Sequence, residues 1–132
     1  MKILVDSDCL VGAFRLGDPH YEKAKTLLKS HHLKENQLNV LNIVLQETVT
    51  VLSHRVGMNA VRLFLNEFPK IGLHIIRLES DLEDLSWKFF LQQTKKGSSF
   101  VDCANLAAIE YYKLDGVLSF DKFYPAKLLV RE

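Results

Sequence analysis

Lys2-Ile3-Leu4-Val5-Asp6-Ser7-Asp8-Cys9-Leu10 is the stretch on which the reading of this chain turns. Ile3-Leu4-Val5 is a short apolar run without polar alternation, the pattern of a parallel strand covered on both faces. Asp6-Ser7-Asp8 ends the run with residues that cap helices, and Cys9-Leu10-Val11-Gly12-Ala13-Phe14 continues at helical length. A buried strand that passes straight into a helix is half of a parallel α/β unit. Asp6 therefore falls at the carboxyl end of a strand, the edge where open α/β sheets bind ligands.

The same alternation continues along the chain. Gly17-Asp18-Pro19 signals a turn, and His20 to about Ser30 reads as a helix with Ala24, Leu27 and Leu28 on one face. Leu38-Asn39-Val40-Leu41 is a second strand. Asn42 is expected to cap the helix after it, in which Val44, Thr48 and Val51 share a face and which ends near Gly57. Asn59 to Phe68 reads as a short helix stopped by Pro69. Gly72 to Leu78 is a third strand, and Ser80-Asp81-Leu82-Glu83 has the form of a capping box opening a helix to about Thr94. Beyond the basic loop Lys95-Lys96-Gly97-Ser98-Ser99, Phe100 to Tyr112 is an alanine-rich helix, and Gly116 to Phe120 a fourth strand. Leu128-Leu129-Val130 offers a short fifth at the edge. Alternating strands and helices predict an α/β fold, a parallel sheet of four to five strands with helices on both faces. No repeat or linker divides the chain, so residues 1–132 read as a single domain.

Composition narrows the function classes. The 132 residues suffice for a real core without staples, and 48% hydrophobic with 25% charged is ordinary for a globular domain. A net charge of +1 gives no general attraction to nucleic acid or acidic membranes, so contact with either must come from a local patch. Cys9 and Cys103 are too few for a disulfide scaffold and read as reduced thiols in a cytoplasmic protein. The first apolar run is far too short for a signal peptide or a membrane span, and no later stretch reaches span length. His31 and His32 lack a partner at metal-site spacing and are expected at a solvated helix end.

Four acids stand at breaks in the pattern: Asp6, Glu47, Asp102 and Asp121. Asp6 and Asp121 each follow a strand directly. Glu47 lies in the second turn of a helix beside Ile43, Val44 and Val51, where a carboxylate is partly buried and needs a partner. Asp102 is in the first turn of the helix after the glycine-serine loop. Each has a plainer reading alone: Asp6 as a helix cap, Glu47 paired with Arg55 or Lys70, Asp102 in a capping box with Ser99, Asp121 capping a turn before Phe123. Together they fall on one predicted sheet edge, whereas Asp115 lies at the opposite end of its strand, and Asp81, Glu83 and Asp84 crowd a helix start that explains them.

Carboxylates brought together repel unless a cation holds them, and an all-oxygen set suits Mg²⁺ or Mn²⁺. Such a site activates water and stabilises charge on a phosphate. The absence of histidine and reactive thiol from the quartet disfavours zinc hydrolysis and covalent cysteine chemistry, and Cys103 reads as a small core residue.

The chain resembles PIN-domain ribonucleases, most of all the toxin subunits of VapBC-type toxin–antitoxin pairs. The likeness is carried by Ile3-Leu4-Val5-Asp6-Ser7-Asp8, Asn42-Ile43-Val44-Leu45-Gln46-Glu47, Ser99-Phe100-Val101-Asp102-Cys103-Ala104-Asn105-Leu106-Ala107-Ala108, Ser119-Phe120-Asp121-Lys122-Phe123 and Asp18-Pro19-His20-Tyr21-Glu22-Lys23-Ala24. It implies a three-layer α/β/α sandwich and a Mg²⁺ or Mn²⁺ site formed by Asp6, Glu47, Asp102 and Asp121, with Ser119 nearby. It further implies cleavage of single-stranded RNA, frequent homodimers and a small antitoxin that blocks the site. Two positions depart from the family pattern. Asn42 replaces the usual Ser or Thr ahead of the glutamate's helix, and Asp8 adds a fifth carboxylate. On this reading Ser119, Asp8 and Asn42 surround the metal ligands, Lys95, Lys96 and Lys122 lie near the mouth within reach of backbone phosphates, and the products carry a 5′-phosphate and a 3′-hydroxyl.

Three other readings compete. Asp6-Ser7-Asp8 after the first strand also resembles the nucleophile and acid of a haloacid-dehalogenase-type phosphatase, though Cys9-Leu10 departs from that pattern. A receiver-type phosphoacceptor needs an aspartate after the third strand, for which Glu79-Ser80-Asp81 is a poor substitute. A catalytically idle binding module is the last.

Overall fold

The computed structural model describes residues 1–132, in which four parallel strands run in the order β3-β2-β1-β4. They are β1 (Lys2–Val5), β2 (Gln37–Leu41), β3 (His74–Ile76) and β4 (Gly116–Leu118). β1 is interior because Ile3, Leu4 and Val5 are completely buried, and a run apolar on both faces needs cover above and below. Ile3 pairs with Leu38 on one side and Gly116 on the other.

The handedness of crossovers accounts for the layers. β1 leads through α1 (Ser7–Phe14) and α2 (Tyr21–Leu33) to β2, and β2 through α3 (Asn42–Arg55) and α4 (Met58–Ile71) to β3. Both steps move the same way across the sheet. The chain then returns from β3 through α5 (Ser80–Leu91) and α6 (Phe100–Tyr112) to β4, beyond β1. Right-handed connections put α1–α4 on one face and α5 with α6 on the other. The packing agrees: α1 lies on α2 and α3, α3 on α4, and α5 on α6. The result is a three-layer α/β/α sandwich. Its change of direction falls between β1 and β4, and the crevice beyond their carboxyl ends is the natural ligand site of such a sheet. A flavodoxin-like receiver would order its strands 2-1-3-4-5, so this topology argues against that alternative.

Several local expectations are corrected. The fifth strand reduces to one parallel bridge between Leu129 and Val117 after a 3₁₀ turn at Ala126–Leu128, with the Val130 N–H donating to the Val117 carbonyl at 2.9 Å. Pro69 does not stop α4, which runs on to Ile71. The stop is Gly72, whose left-handed φ of 76° a residue with a side chain rarely adopts. Ser80 does not cap α5; Glu79 stands at that position without a side-chain bond. Asn42 is the first residue of α3, not its cap, and its Oδ1 accepts from the Leu78 N–H at 2.9 Å, tying the end of β3 to α3. His31 is 1% exposed, not solvated, because α2 extends to Leu33 and continues the buried stripe of Ala24, Leu27 and Leu28. Its Nδ1 lies 2.9 Å from Asn36 Nδ2, while His32 stays exposed.

Gly116 lets the final segment close over β4. A Cβ there would lie 2.5 Å from the Leu128 carbonyl oxygen and 2.8 Å from Val130 Cγ2. Gly116→Ala is therefore expected to destabilise the protein by roughly 1–3 kcal/mol in urea unfolding. An unchanged midpoint would mean that residues 126–130 yield freely and do not clamp the sheet.

Candidate active site

Asp6 occupies the crevice between β1 and β4. Its N–H donates to the Leu118 carbonyl at 3.0 Å, continuing the β1–β4 pairing one residue past the strands. The residue is 3% exposed, and four donors converge on its carboxylate. Oδ1 accepts from the Ser7 N–H at 2.8 Å and from Asn105 Nδ2 at 3.1 Å. Oδ2 accepts from Ser119 Oγ and from the Tyr124 hydroxyl, each at 3.0 Å. The helix-cap reading was therefore right as far as it goes, since Asp6 caps α1 through Ser7. A cap alone would not need a buried asparagine, serine and tyrosine around it.

The other acids gather about this centre. The Tyr124 hydroxyl lies 3.2 Å from Asp102 Oδ1, so one hydroxyl proton stands between two carboxylates. Ser119 Oγ likewise bridges Asp6 Oδ2 at 3.0 Å and Asp8 Oδ2 at 3.1 Å. Asp8 Oδ2 accepts in addition from the Phe120 N–H at 2.8 Å, while its Oδ1 is buried without any partner. Ser99 caps α6 through the Val101 and Asp102 N–H groups, leaving the Asp102 carboxylate free to face Tyr124. The exposed Asp121 follows β4, its N–H on Ser119 Oγ at 3.1 Å, and its Oδ1 accepts from the Phe123 N–H at 3.0 Å. Glu47, half-buried on α3, is close enough for its charge to act on Asp102. The expected pairing of Glu47 with Arg55 or Lys70 is absent, since the ion pairs of the molecule are Arg15–Asp18 and Lys70–Glu67.

Crowding acids away from water has an electrostatic cost. Burial, then the charges of Asp8 and Asp102, push the Asp6 carboxyl up to about 7. Burial, then Asp121, Glu47 and Asp8, hold Asp102 at about 6 against the helping Tyr124 bond. Asp8 is also raised, mainly by burial. No cationic side chain pairs with any of them.

These features fit a hard divalent cation. The donor set is entirely oxygen, Asp8 Oδ1 has nothing to bind, and the raised carboxyls show negative charge without compensation. No three His, Cys, Asp or Glu side chains stand close enough together to hold one metal ion. The carboxylates of Asp6, Asp8 and Asp102 are joined instead through the Ser119 and Tyr124 hydroxyls. Beside them, Asp102 and Asp121 line an open groove of about 410 Å³ together with Lys95, Lys96, Gly97, Ser99 and Lys122. All three lysines are exposed, so the mouth is basic where the floor is acidic.

Asn105 and Tyr124 escaped the sequence reading as site residues. Asn105 carried a signal, being one helical turn from Asp102 in an otherwise apolar, alanine-rich stretch and completely buried. Tyr124 follows Phe123 in a loop and carried none. Asn42 belongs to the β3–α3 junction through Leu78 and contributes no hydrogen bond to the carboxylates. Asp6 is held on both oxygens and nearly covered, an unsuitable state for the free nucleophile that a phosphatase of the haloacid-dehalogenase type requires.

No protein-family model and no curated protein matches the chain. Among solved structures it is similar to the toxin VapC20 of Mycobacterium tuberculosis, described as cleaving the sarcin-ricin loop. The TM-score is 0.86 at 25% identity, over 99% of this chain and 98% of that one. It is also similar in fold to a chain of the VapBC2 complex of Rickettsia felis, bound to a DNA fragment from its promoter, with TM-score 0.70 and 16% identity over 92% and 89% of the two chains.

The raised carboxyls fix the sign of a pH effect. The folded protein binds protons on Asp6 up to about pH 7 that an unfolded chain releases near 3.8. Without metal, this contribution to stability is present below about pH 4 and is lost as pH rises to about 7. Asp6→Asn is expected to remove the loss, so that in chelator at pH 7.5 the variant unfolds later than the parent by on the order of 2–4 kcal/mol. The check is urea unfolding of both proteins from pH 4 to 8; a difference that does not grow with pH would disprove the assignment.

Proposed function

We infer that this chain is a PIN-domain ribonuclease of the VapC type, a metal-dependent endonuclease acting on single-stranded RNA. The observation that carries the reading is the buried Asp6 carboxylate at the switch point, joined through Tyr124 to Asp102. The near-complete superposition on VapC20, a toxin that cuts RNA, supports it.

Asp6 and Asp102 would hold Mg²⁺, or Mn²⁺ in its place, with Glu47 and Asp121 completing the oxygen ligands. Bound there, the ion would lower the pKa of a water and offset charge on the scissile phosphate. The chain's own groups do the rest. Ser119, Asn105 and Tyr124 fix the orientation of Asp6 so that no rotamer search accompanies binding. One of the carboxylates would accept the proton of the reacting water. Lys95, Lys96 and Lys122 at the groove mouth would hold the flanking backbone phosphates. The expected products are a 5′-phosphate and a 3′-hydroxyl.

Membership of a toxin–antitoxin pair follows by analogy with VapBC2: a small antitoxin would occlude the groove, and the working unit would be a homodimer in the cytoplasm. No helix is long and apolar enough to cross a membrane.

Incubation of the purified protein with a panel of single-stranded RNAs should give cleavage that needs Mg²⁺ or Mn²⁺ and stops in chelator. Asp6→Asn and Asp102→Asn are each expected to reduce the rate by about a thousandfold or more, with circular dichroism unchanged. Undiminished cleavage by Asp6→Asn would sink the reading. Alanine at Lys95, Lys96 or Lys122 should weaken RNA binding severalfold and lower the salt slope by roughly 0.7 per lysine; slopes equal to the parent's would remove them from the phosphate path.

A further inference from the structure

We propose that the stacked rings of His20 and Phe120 form a platform for one nucleobase of the single-stranded RNA, a strand-gripping feature beside the acidic crevice; the inference rests on the nuclease reading above. The rings lie 4.1 Å apart at an interplanar angle of 6°. Other aromatic neighbours in this chain meet tilted or edge-on, from 34° for Phe64–Phe68 to 87° for Phe14–Phe64. Those two pairs contribute to packing around the buried Phe64. The His20–Phe120 pair does not belong to the interior: His20 is exposed and Phe120 half-buried.

Its position relative to the acids is set by covalent and hydrogen-bonded neighbours. Phe120 stands between Ser119, which bonds Asp6 and Asp8, and Asp121, and its own N–H is held by Asp8 Oδ2 at 2.8 Å. His20 packs against the far end of the same face of α1. Gly12, one turn beyond Asp8, would place a Cβ 3.5 Å from His20 Cβ. Asp8 and Gly12 are one helical turn apart on α1, so His20 and Phe120 both stand beside the acidic crevice. That placement lets a base rest on the rings while an adjoining phosphate reaches the carboxylates.

The platform is set before any ligand arrives. The His20 N–H donates to Asp18 Oδ1 at 2.9 Å, Asp18 is paired with Arg15 at 3.6 Å, and the His20 carbonyl accepts from Ala24 N–H at 2.8 Å. Phe120 stacks on one face of the imidazole, and His20 is exposed. Every base has a π-face, so a stacking platform joined to a basic, backbone-tracking groove is the general device for gripping a single strand. Here the groove of Lys95, Lys96 and Lys122 is also lined by Asp121, the residue after Phe120, so a strand held in the groove would pass close to the rings.

The test places 2-aminopurine at successive positions of a single-stranded RNA oligomer and follows its fluorescence on binding to full-length Asp6→Asn protein. The expected result is quenching at one position, lost when His20→Ala is added and restored with His20→Phe, with affinity falling and recovering in parallel by roughly five- to a hundredfold. With Asp6 intact, His20→Ala should raise KM by a similar factor and leave kcat within about twofold. Quenching and affinity that His20→Ala does not alter overturn the proposal. So does a fall in kcat alone that His20→Phe does not rescue, which would make the imidazole a proton carrier. Loss of thermal stability in His20→Ala without a position-specific change in quenching also overturns it, leaving the ring pair as a loop clasp. If the parent cuts no RNA yet His20-dependent quenching persists, the nuclease reading fails and the platform stands as a binding site.

Discussion

A carboxylate removed from water governs this molecule. Asp6 is where the central strand ends, and its side chain is enclosed by β4, α6 and the loop carrying Tyr124. Enclosure of a charge is tolerable only with full hydrogen bonding or a counter-ion. Four donors supply the first, but two of them are hydroxyls already shared with Asp102 and Asp8. A single hydroxyl proton cannot serve two anions at once, so the carboxylates are not all fully satisfied. Burial and the neighbouring acid charges raise both Asp6 and Asp102, and a divalent cation would offset that repulsion.

The topology makes the cluster possible without long-range design of each acid. Every strand of a parallel sheet delivers its last residue to the same edge, and reversal of winding direction opens a gap there. β1 contributes Asp6, β4 contributes Ser119 and Asp121, and α3 and α6, starting on that edge, contribute Glu47 and Asp102. Hence the candidate cluster was legible from position, as acids at strand ends and in the first two turns of helices. Asp115, at the amino end of β4, serves the opposite edge and binds the Lys2 N–H at 2.7 Å.

What the sequence left unread has physical causes. Tyr124 acts through a hydroxyl whose placement depends on a loop folding back over α6, and no periodicity reports such a return. Asn105 and His31 are polar groups turned inward by helical phase; extending α2 one residue past Ser30 reaches His31, and following the buried face of α6 reaches Asn105. Asn42 fits a cap in one dimension, but the neighbouring β3 presents the Leu78 N–H and wins the side chain. Pro69 misleads for a related reason. Within the last turn of a helix it displaces few hydrogen bonds, so the chain continues until Gly72 supplies the left-handed geometry that ends it.

Burial is distributed unevenly across the crevice, and the division suits the two tasks of the proposed nuclease. Asp6, Asn105, Ser119 and Tyr124 are all within 3% of complete burial, which fixes the reacting geometry. Asp121, Lys95, Lys96, Lys122 and His20 are exposed, each on a loop or at a helix boundary. The chemistry of a phosphodiester is the same in every RNA, so its apparatus gains from being locked. Recognition varies with the strand presented, and residues on exposed loops can change without disturbing the buried network. A fold that anchors its carboxylates on strand ends and hangs its recognition groups on the intervening loops can therefore keep one reaction while its target drifts.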